Sequence, residues 1–406
     1  MIEGRARILL VGAGTEQLLA IHQAKALGMY IVACDGNPEA PGLQQADVGL
    51  VVDIRSEDEL SKVAAEYKVN GIFCHAVEIP QIIAKVAEKL NLPGLLPLVA
   101  ERATNKYMRI RRLTECGIPC ARFEVASCPA ELNSKAEKIG FPLVLKPVDN
   151  AGSRGVRVVE NAVDLLLAYE TALTYSSTTD VLLEEVLSGP EISTESVVYE
   201  GTIHTFAFAD RNYAKSSLYH PYFIEDGINF PSVIPSHLQR SVYSLVEETI
   251  RCLGIDFGAA KGDIIIDNGK PKIIEMAART SGGWFGAGSI PLATGSNMLK
   301  PLLQMAVGAK PDLDALYPTK NLGCAQRYII PVEEGIVTQI TGVEAAVQMP
   351  GVEMYSMFLP AIGSKISKAK NHAERYGQII CTAATREQAA ARCEAAIAKI
   401  NIKLKN

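Results

Sequence analysis

The stretch from Gly258 to Arg279 constrains the chain most strongly. Asp267-Asn268-Gly269 is a tight-turn signature, and the apolar runs Ile264-Ile265-Ile266 before it and Ile273-Ile274 after it read as the two strands of a β-hairpin. In an antiparallel pair centred on that turn, Asp263 and Glu275 fall on neighbouring strands at a similar distance from the tip, so both can point to one face. Two close carboxylates repel unless a cation lies between them. Hard oxygen ligands suit Mg2+, with Mn2+ as a substitute, and Arg279 beyond Glu275 can stabilise negative charge on a phosphoryl group. The competing reading is a surface hairpin with solvated acids. It sits poorly with Glu275 following Ile273-Ile274 in a strand that reads as buried, where an acid needs a partner.

A second constellation lies upstream. Phe141 to Pro147 is an apolar strand with Lys146 near its end, followed by the polar glycine loop Asp149 to Gly155. An ammonium in such a strand needs a counter-charge. Phosphate oxygens can supply it, with Gly152 and Gly155 letting backbone N–H groups approach and Ser153 adding a hydroxyl. A structural carboxylate beside the lysine, followed by an ordinary hairpin, explains the same residues.

Around these segments the chain divides by pattern. Short apolar strands (Ala6 to Val11, Tyr30 to Cys34, Gly49 to Val52, Gly71 to Cys74) alternate with helical stretches, which predicts a parallel sheet covered on both faces. Gly12-Ala13-Gly14-Thr15-Glu16-Gln17, with Asp35 downstream, is an incomplete dinucleotide fingerprint because Gln17 stands where the third glycine belongs. A Rossmann-like domain without NAD is the better reading, and the lone His75 at a strand end reads as structural. The boundaries are a Rossmann-like unit over 1–98, a connecting helix segment over 99–122, a small α/β unit over 123–185, a strand-rich centre over 186–320 and an α+β unit over 321–406.

Composition excludes several classes. The 406 residues are 48% hydrophobic and 21% charged, as expected for a multidomain globular chain. A net charge of −5 argues against nucleic acid as the main partner. No apolar run is long enough for a membrane span, and Met1-Ile2-Glu3-Gly4-Arg5 carries an acid where a signal peptide would be basic, so the expected location is cytoplasmic. The nine cysteines form no C-x-x-C pair and are expected to be free, mostly buried thiols.

Taken in order, these motifs resemble the ATP-grasp superfamily over essentially the whole length. Within it the chain is most similar to the carboxylate–amine ligases of the L-amino acid ligase (dipeptide synthetase) group. The likeness rests on Val11-Gly12-Ala13-Gly14, on Asn105-Lys106-Tyr107 before Gly117-Ile118-Pro119, on the Lys146 strand and loop, on Leu183-Glu184-Glu185-Val186-Leu187-Ser188-Gly189-Pro190-Glu191, and on the Asp263/Glu275/Arg279 hairpin. It implies a fold with an amino-terminal Rossmann-like domain, a small lid, a central antiparallel sheet and a carboxy-terminal extension. It also implies that Lys106 and Lys146 hold the ATP phosphates while the Gly152 to Gly155 loop with Ser153 closes over them. Glu184, Glu185, Val186 and Leu187 would form the hinge that meets adenine, and Glu191 would accept hydrogen bonds from the ribose. Asp263 and Glu275 would ligate Mg2+, and Arg279 would steady an acyl phosphate. Lys261 is a further catalytic candidate, reaching phosphate or substrate carboxylate.

On the substrate side, Glu225 in Pro221 to Pro231 is similar to the amino acid ligase subgroup and would neutralise a substrate ammonium; a plain loop acid is the alternative. Trp284 and Phe285 would wall the substrate pocket, although packing beneath the glycine-rich tract explains the aromatics equally well. The reaction implied is ADP-forming amide synthesis from a small-molecule carboxylate and an amine, with a homodimer as the assembly many relatives show. Two positions depart from the family pattern: Ala277 stands where an asparagine is common, and Asp263 replaces the commoner glutamate. The readings kept beside the ligase are a bicarbonate-activating carboxylase type, an NAD-dependent enzyme and a nucleotide-binding protein without catalysis.

Overall fold

The computed structural model describes residues 4–405, so the expectation about Met1-Ile2-Glu3 lies outside the described residues. Four strands open the chain: β1 (Arg7–Val11), β2 (Tyr30–Asp35), β3 (Val48–Val51) and β4 (Gly71–Cys74). They form a parallel sheet in the order β3-β2-β1-β4. Successive residues of β1 and β2 are apolar because both faces are covered. Leu9, Val11 and Val32 pack on Leu60 and Val63 of the helix Glu57–Glu66 and on Val86 of the helix Pro80–Lys89. Ile8, Leu10 and Ile31 pack on Leu299, Leu302 and Leu303 of the distant helix Leu299–Ala306, which fixes this domain to the rest of the molecule. A Cβ on Gly71 would come within 1.8 Å of the Ala306 carbonyl oxygen, so the approach of β4 to that helix requires glycine.

The incomplete fingerprint turn is closed by its own side chains. Asp35 accepts hydrogen bonds from the Ala13 and Asn37 N–H groups at 2.7 and 2.8 Å. Gln17 donates to the His75 carbonyl at 2.9 Å. The acid that would read a ribose is thus spent on the backbone.

The second sheet consists of β5 (Phe123–Ala126), β6 (Leu143–Pro147), β7 (Arg157–Val159) and β8 (Val181–Glu185), antiparallel in the order β5-β8-β6-β7. Leu143, Leu145, Val181 and Leu183 pack against the helices Leu132–Ile139 and Leu165–Leu173. The opposite face carries Val144, Lys146 and Glu184 into the main cavity.

The remaining strands are β9 (Glu191–Tyr199), β10 (Thr202–Asn212), β11 (Gly227–Phe230), β12 (Gly258–Asp267), β13 (Lys270–Ala277), β14 (Gly323–Tyr328), β15 (Gly335–Thr341), β16 (Val352–Met357), β17 (Lys365–Ile366), β18 (Gly377–Ala383) and β19 (Asn401–Lys405). Eight of them form one sheet, β13-β12-β9-β10-β11-β14-β18-β16, and β17-β15-β19 form a small one. Along β12 the residues alternate as a two-sided strand must. Ile264 and Ile266 join the core under the helix Ser236–Leu253, while Lys261, Asp263 and Ile265 face the cavity.

One expectation is corrected here. Cys116 and Cys252 are not free thiols but a disulfide, joining the end of the helix Lys106–Glu115 to the end of Ser236–Leu253. The two helices lie side by side, a proximity that the sequence separation of 136 residues hides. Cys34, Cys74, Cys324, Cys381 and Cys393 are free and buried as expected. Among the described residues no helix is long and apolar enough to cross a membrane.

Candidate active site

A cavity of about 590 Å³ lies between the small sheet, the large sheet, the first domain and the strands from β14 onward. Its floor is the hairpin β12–β13, where Asp263 pairs directly with Glu275. That juxtaposition depends on a bulge. Ile264 pairs with Ile273, so Ile274 is an extra residue, and without it to shift the register Glu275 would face away from Asp263. The Ile273 N–H leaves the ladder to donate to the Pro119 carbonyl at 2.8 Å.

The acid pair is surrounded by cations. Arg211 Nη1 lies 2.7 Å from Asp263 Oδ2, Lys261 Nζ contacts the same oxygen and stands 3.9 Å from Glu275 Oε2, and Arg109 Nη2 is 3.4 Å from Glu275 Oε1. Ser193 donates to Asp263 at 2.8 Å. Burial pushes both carboxyls up, but Arg211 and Lys261 leave Asp263 below its ordinary value, and Arg109, Lys261, Lys106 and Arg279 hold Glu275 well below its own. Among the described residues no group of three or more His, Cys, Asp or Glu side chains could hold a metal by itself. Two ionised carboxylates on one face, with Lys261 lodged between them, nevertheless fit a small divalent cation that keeps water and takes phosphate oxygens for its other ligands.

The opposite wall carries the side chains expected to meet phosphate. Asn105 caps the helix Lys106–Glu115, accepting the Met108 N–H at 3.0 Å, and this presents Lys106 as the first helical residue. Lys106 Nζ donates to the Asn150 carbonyl, and burial pushes its pKa down to about 8. Lys146 and Glu184 sit diagonally on β6 and β8 and pair at 2.6 Å, so a structural carboxylate supplies a counter-charge to the lysine. Gly152, Ser153 and Gly155 have φ of 66°, 58° and 74°, the left-handed turn that a glycine loop permits. Gly152 and Ser153 line the cavity, whereas Gly155 does not and packs against Ala172 and Pro147.

Of the hinge residues, Glu184, Glu185 and Leu187 line the cavity and Val186 does not. Glu185 is engaged by Arg122 at 2.8 Å and Lys272 at 3.4 Å. Glu191 lies 3.8 Å from Arg211 Nε, and burial raises its pKa to about 7 against the pull of Arg211.

At the far end Glu225 is already held by Arg211 at 2.8 Å and faces Arg375 at 3.5 Å. Arg279 lines the cavity and is gripped by Glu78 of the first domain. His75 is buried, its Nδ1 lies 2.9 Å from Thr280 Oγ1, and burial lowers its pKa to about 4, in keeping with a structural role. Of the two aromatics, Phe285 lines the cavity, whereas Trp284 is corrected: it packs with Ala293, Cys324 and Ile380. The left-handed backbone at Trp284 (φ 60°) turns the ring under the loop.

Sequence reasoning missed Arg109, Arg211, Arg375, Glu78 and Glu16, all of which except Glu78 line the cavity. Arg109 was within reach, because it stands three residues after Lys106 on one helix face. Arg375 has no local pattern that marks it.

A small lid sheet and a large antiparallel sheet that close on one cavity, with lysines on one side and an acid pair on the other, define a nucleotide-grasping protein. A family model for the ATP-grasp domain matches residues 103–283, and one for the L-amino acid ligase C-terminal domain 2 matches residues 327–405. Residues 103–283 are thus an ATP-grasp domain. It is similar in structure to the L-amino acid ligase from Bacillus licheniformis, with a TM-score of 0.84 and 23% identity over 99% of each chain. It is also similar to the biotin carboxylase domain of the Hydrogenobacter thermophilus 2-oxoglutarate carboxylase, with a TM-score of 0.75, 19% identity, and 98% and 91% of the two chains covered. In sequence it is 33% identical over 187 residues to the formate-dependent phosphoribosylglycinamide formyltransferase of Synechococcus sp. (strain CC9605). That match covers 44% of this chain and 47% of the relative, so the chain spans about half the length of the curated formyltransferases it matches.

Proposed function

We propose that the protein is an ATP-dependent carboxylate–amine ligase, ADP-forming, that acts on an amino acid. The observation that supports this most is the convergence of Lys106, from a helix, and Lys146, from the small sheet, with the Asp263/Glu275 pair of the large sheet on one cavity. Lys106, Lys146 and the Gly152–Ser153 turn hold the triphosphate, and the small sheet excludes water above it. Glu184, Glu185 and Leu187 border the adenine and Glu191 the ribose. Asp263 and Glu275 would hold Mg2+, or Mn2+ in its place; when bound it neutralises charge on the phosphates. The carboxylate oxygen of the first substrate attacks the γ-phosphorus and ADP leaves. The amine then attacks the carbonyl carbon of the acyl phosphate, and the departing phosphate carries off the amine proton. Positioning and charge neutralisation dominate. Arg279, braced by Glu78, faces the acyl phosphate, and Lys261 moves from the acid pair toward phosphoryl oxygen.

The test is ADP release with Mg2+ over pairs of amino acids, with bicarbonate and formate as separate acids, followed by mass detection of the product. Amide formed from two amino acids supports the reading. Turnover with bicarbonate alone, or ATP bound without ADP release under every mixture, contradicts it. Glu275→Ala and Arg279→Ala are each expected to lower kcat by at least about a hundredfold, in line with the loss of a charge-stabilising group.

A further inference from the structure

An amino acid presents its amine at neutral pH as an ammonium, which has no lone pair to attack with. To become an amide nitrogen it loses two protons. The departing phosphate carries off one; the other has to leave before the attack, and it needs an acceptor on the cavity wall.

Most groups on that wall are disqualified by their partners. Glu184 is paired with Lys146, Glu185 with Arg122 and Lys272, Glu225 with Arg211, Asp263 with Arg211 and Lys261, and Glu275 with Arg109 and Lys261. A cation against a carboxylate keeps it ionised and makes it a poor base. Glu191, 3.8 Å from Arg211, borders the ribose rather than the acyl group. His372 also lines the cavity, but its Nε2 already faces the Glu225 N–H at 3.3 Å and Ser153 Oγ at 3.4 Å. Burial, with Arg375, Arg211 and Lys261 nearby, pushes its pKa well below the ordinary value, so this imidazole does not hold a proton at neutral pH.

Glu16 is the exception. It lies in the turn between β1 and the helix Leu18–Ala26, and among the described residues it is the one carboxylate of the cavity wall without an ion pair. Its Oε1 accepts the Trp284 N–H at 2.8 Å, and a Cβ on Gly282 would stand 4.0 Å from both of its oxygens. The carboxyl is thus seated against the turn that begins at Arg279, the residue that faces the acyl phosphate. Burial raises its pKa to about 7 against the pull of the Trp284 N–H and of Arg279, which suits a group that takes and returns protons near neutrality. The other groups facing it do not titrate there. Tyr328 of β14 is raised by burial, and Arg279, gripped by Glu78, is held above its ordinary value by Glu78 and Glu275 in spite of burial. Glu195, also raised to about 7, accepts the Ser281 N–H of the same turn but does not line the cavity.

We propose that Glu16 is a further catalytic residue, the base that takes a proton from the ammonium of the amine substrate. Its carboxylate accepts one N–H proton, the freed lone pair forms the C–N bond at the acyl carbon, the C–O bond to phosphate breaks, and the phosphate leaves with the second proton. Glu16 returns its proton to water when the amide departs. The proposal rests on the ligase reading and deepens it: the amine is one that arrives protonated, as an amino acid does.

The experiment uses the full chain with ATP, Mg2+ and each common amino acid as the acid. Two kinds of amine are compared: each common amino acid, and hydroxylamine, which is unprotonated at neutral pH and traps the acyl phosphate as a hydroxamate without help from a base. For the best pair of amino acids, wild-type kcat/KM for the amine is expected to rise with pH and level off above about pH 7. In Glu16→Gln it should climb without that break toward the amine's own pKa. At pH 7 the ratio of kcat/KM for the amino acid amine to that for hydroxylamine should fall at least about a hundredfold in this variant, the contribution of a positioned base. Glu16→Asp, which keeps the carboxylate on a shorter stem, falls between. A wild-type profile that climbs unbroken past neutrality overturns the proposal without needing a variant, and so does an unchanged ratio in Glu16→Gln, whether the two rates hold or fall together. Hydroxamate without amide from any amino acid overturns it as well. Absence of any hydroxamate in the wild type overturns the ligase reading itself.

Discussion

Lys146 needs a negative partner whether or not a nucleotide is bound, because its ammonium is buried at the end of an apolar strand. Glu184 supplies it at 2.6 Å, with both side chains at most 10% exposed. Replacing one member of such a pair leaves a charge in low dielectric. Glu184→Gln is therefore expected to destabilise the ligand-free protein by about 3–5 kcal/mol, read by denaturant unfolding. Saturating ATP should raise the melting temperature of the variant more than that of the wild type, since triphosphate then supplies the missing charge. Equal unfolding midpoints without nucleotide would show that Lys146 does not depend on Glu184. The sequence made the need for a partner readable, since a lysine among Leu143, Val144 and Leu145 is conspicuous. It did not show which partner, because Glu184 comes from another strand and its register is set by the whole sheet. Trp284 failed for a local reason: a left-handed backbone turns its ring beneath the loop, and nothing in a run of glycines announces which residue will adopt it.

Elements show a similar division. The hairpin β12–β13 was legible down to its turn, because Asp-Asn-Gly and the flanking isoleucines are local signals. The bulge at Ile274 was not. The Ile273 N–H beside it bonds the Pro119 carbonyl, a partner far away in sequence that a periodicity argument does not see. The helix Lys106–Glu115 is a case where the local signal suffices. Asn105 accepts the Met108 N–H, and the cap sets the first turn from which Lys106 and Arg109 reach the cavity. Asn105→Ala should cost about 1 kcal/mol of stability and raise KM for ATP several-fold as the turn frays. Asn105→Asp, an equally good cap, should keep stability within a few tenths of a kcal/mol of wild type. If the alanine variant binds ATP as tightly as wild type, the cap does not position Lys106.

At the scale of the molecule, the layered order of units was readable from alternating periods, but the assembly of β14, β16 and β18 into the central sheet was not. Pairing across such separations depends on contacts that no window of sequence contains. The joint between the first domain and the hairpin gives a pH-dependent prediction. His75 is neutral in the fold, lowered by burial to about 4 from an ordinary 6.5, so its contribution is fully present above about pH 6.5 and is lost as pH falls through that window. The loss is of order 3 kcal/mol at full protonation. Glu191 and Glu195, raised by burial to about 7, act in the opposite sense, holding protons in the fold and favouring it as pH falls from 7 toward 4.5. Comparing wild type with His75→Asn isolates the histidine: the unfolding free energy at pH 4.5, taken relative to that at pH 7, should be higher in the variant than in wild type, and an identical pH profile would remove His75 from the account. The disulfide is the other long-range tie. Cys116 and Cys252 are separated by 136 residues, so their bond closes a loop that contains the whole lid sheet and three of the eight strands of the large one. Constraining so long a segment in the unfolded chain is worth about 2–5 kcal/mol, and Cys116 is exposed enough for a reductant to reach. Reduction, or Cys116→Ala, should lower the unfolding free energy by that amount, and peptide mapping without reductant should recover the two helix ends as one cross-linked species. Separate peptides together with a melting temperature indifferent to reductant would show that the two helices are held by packing alone.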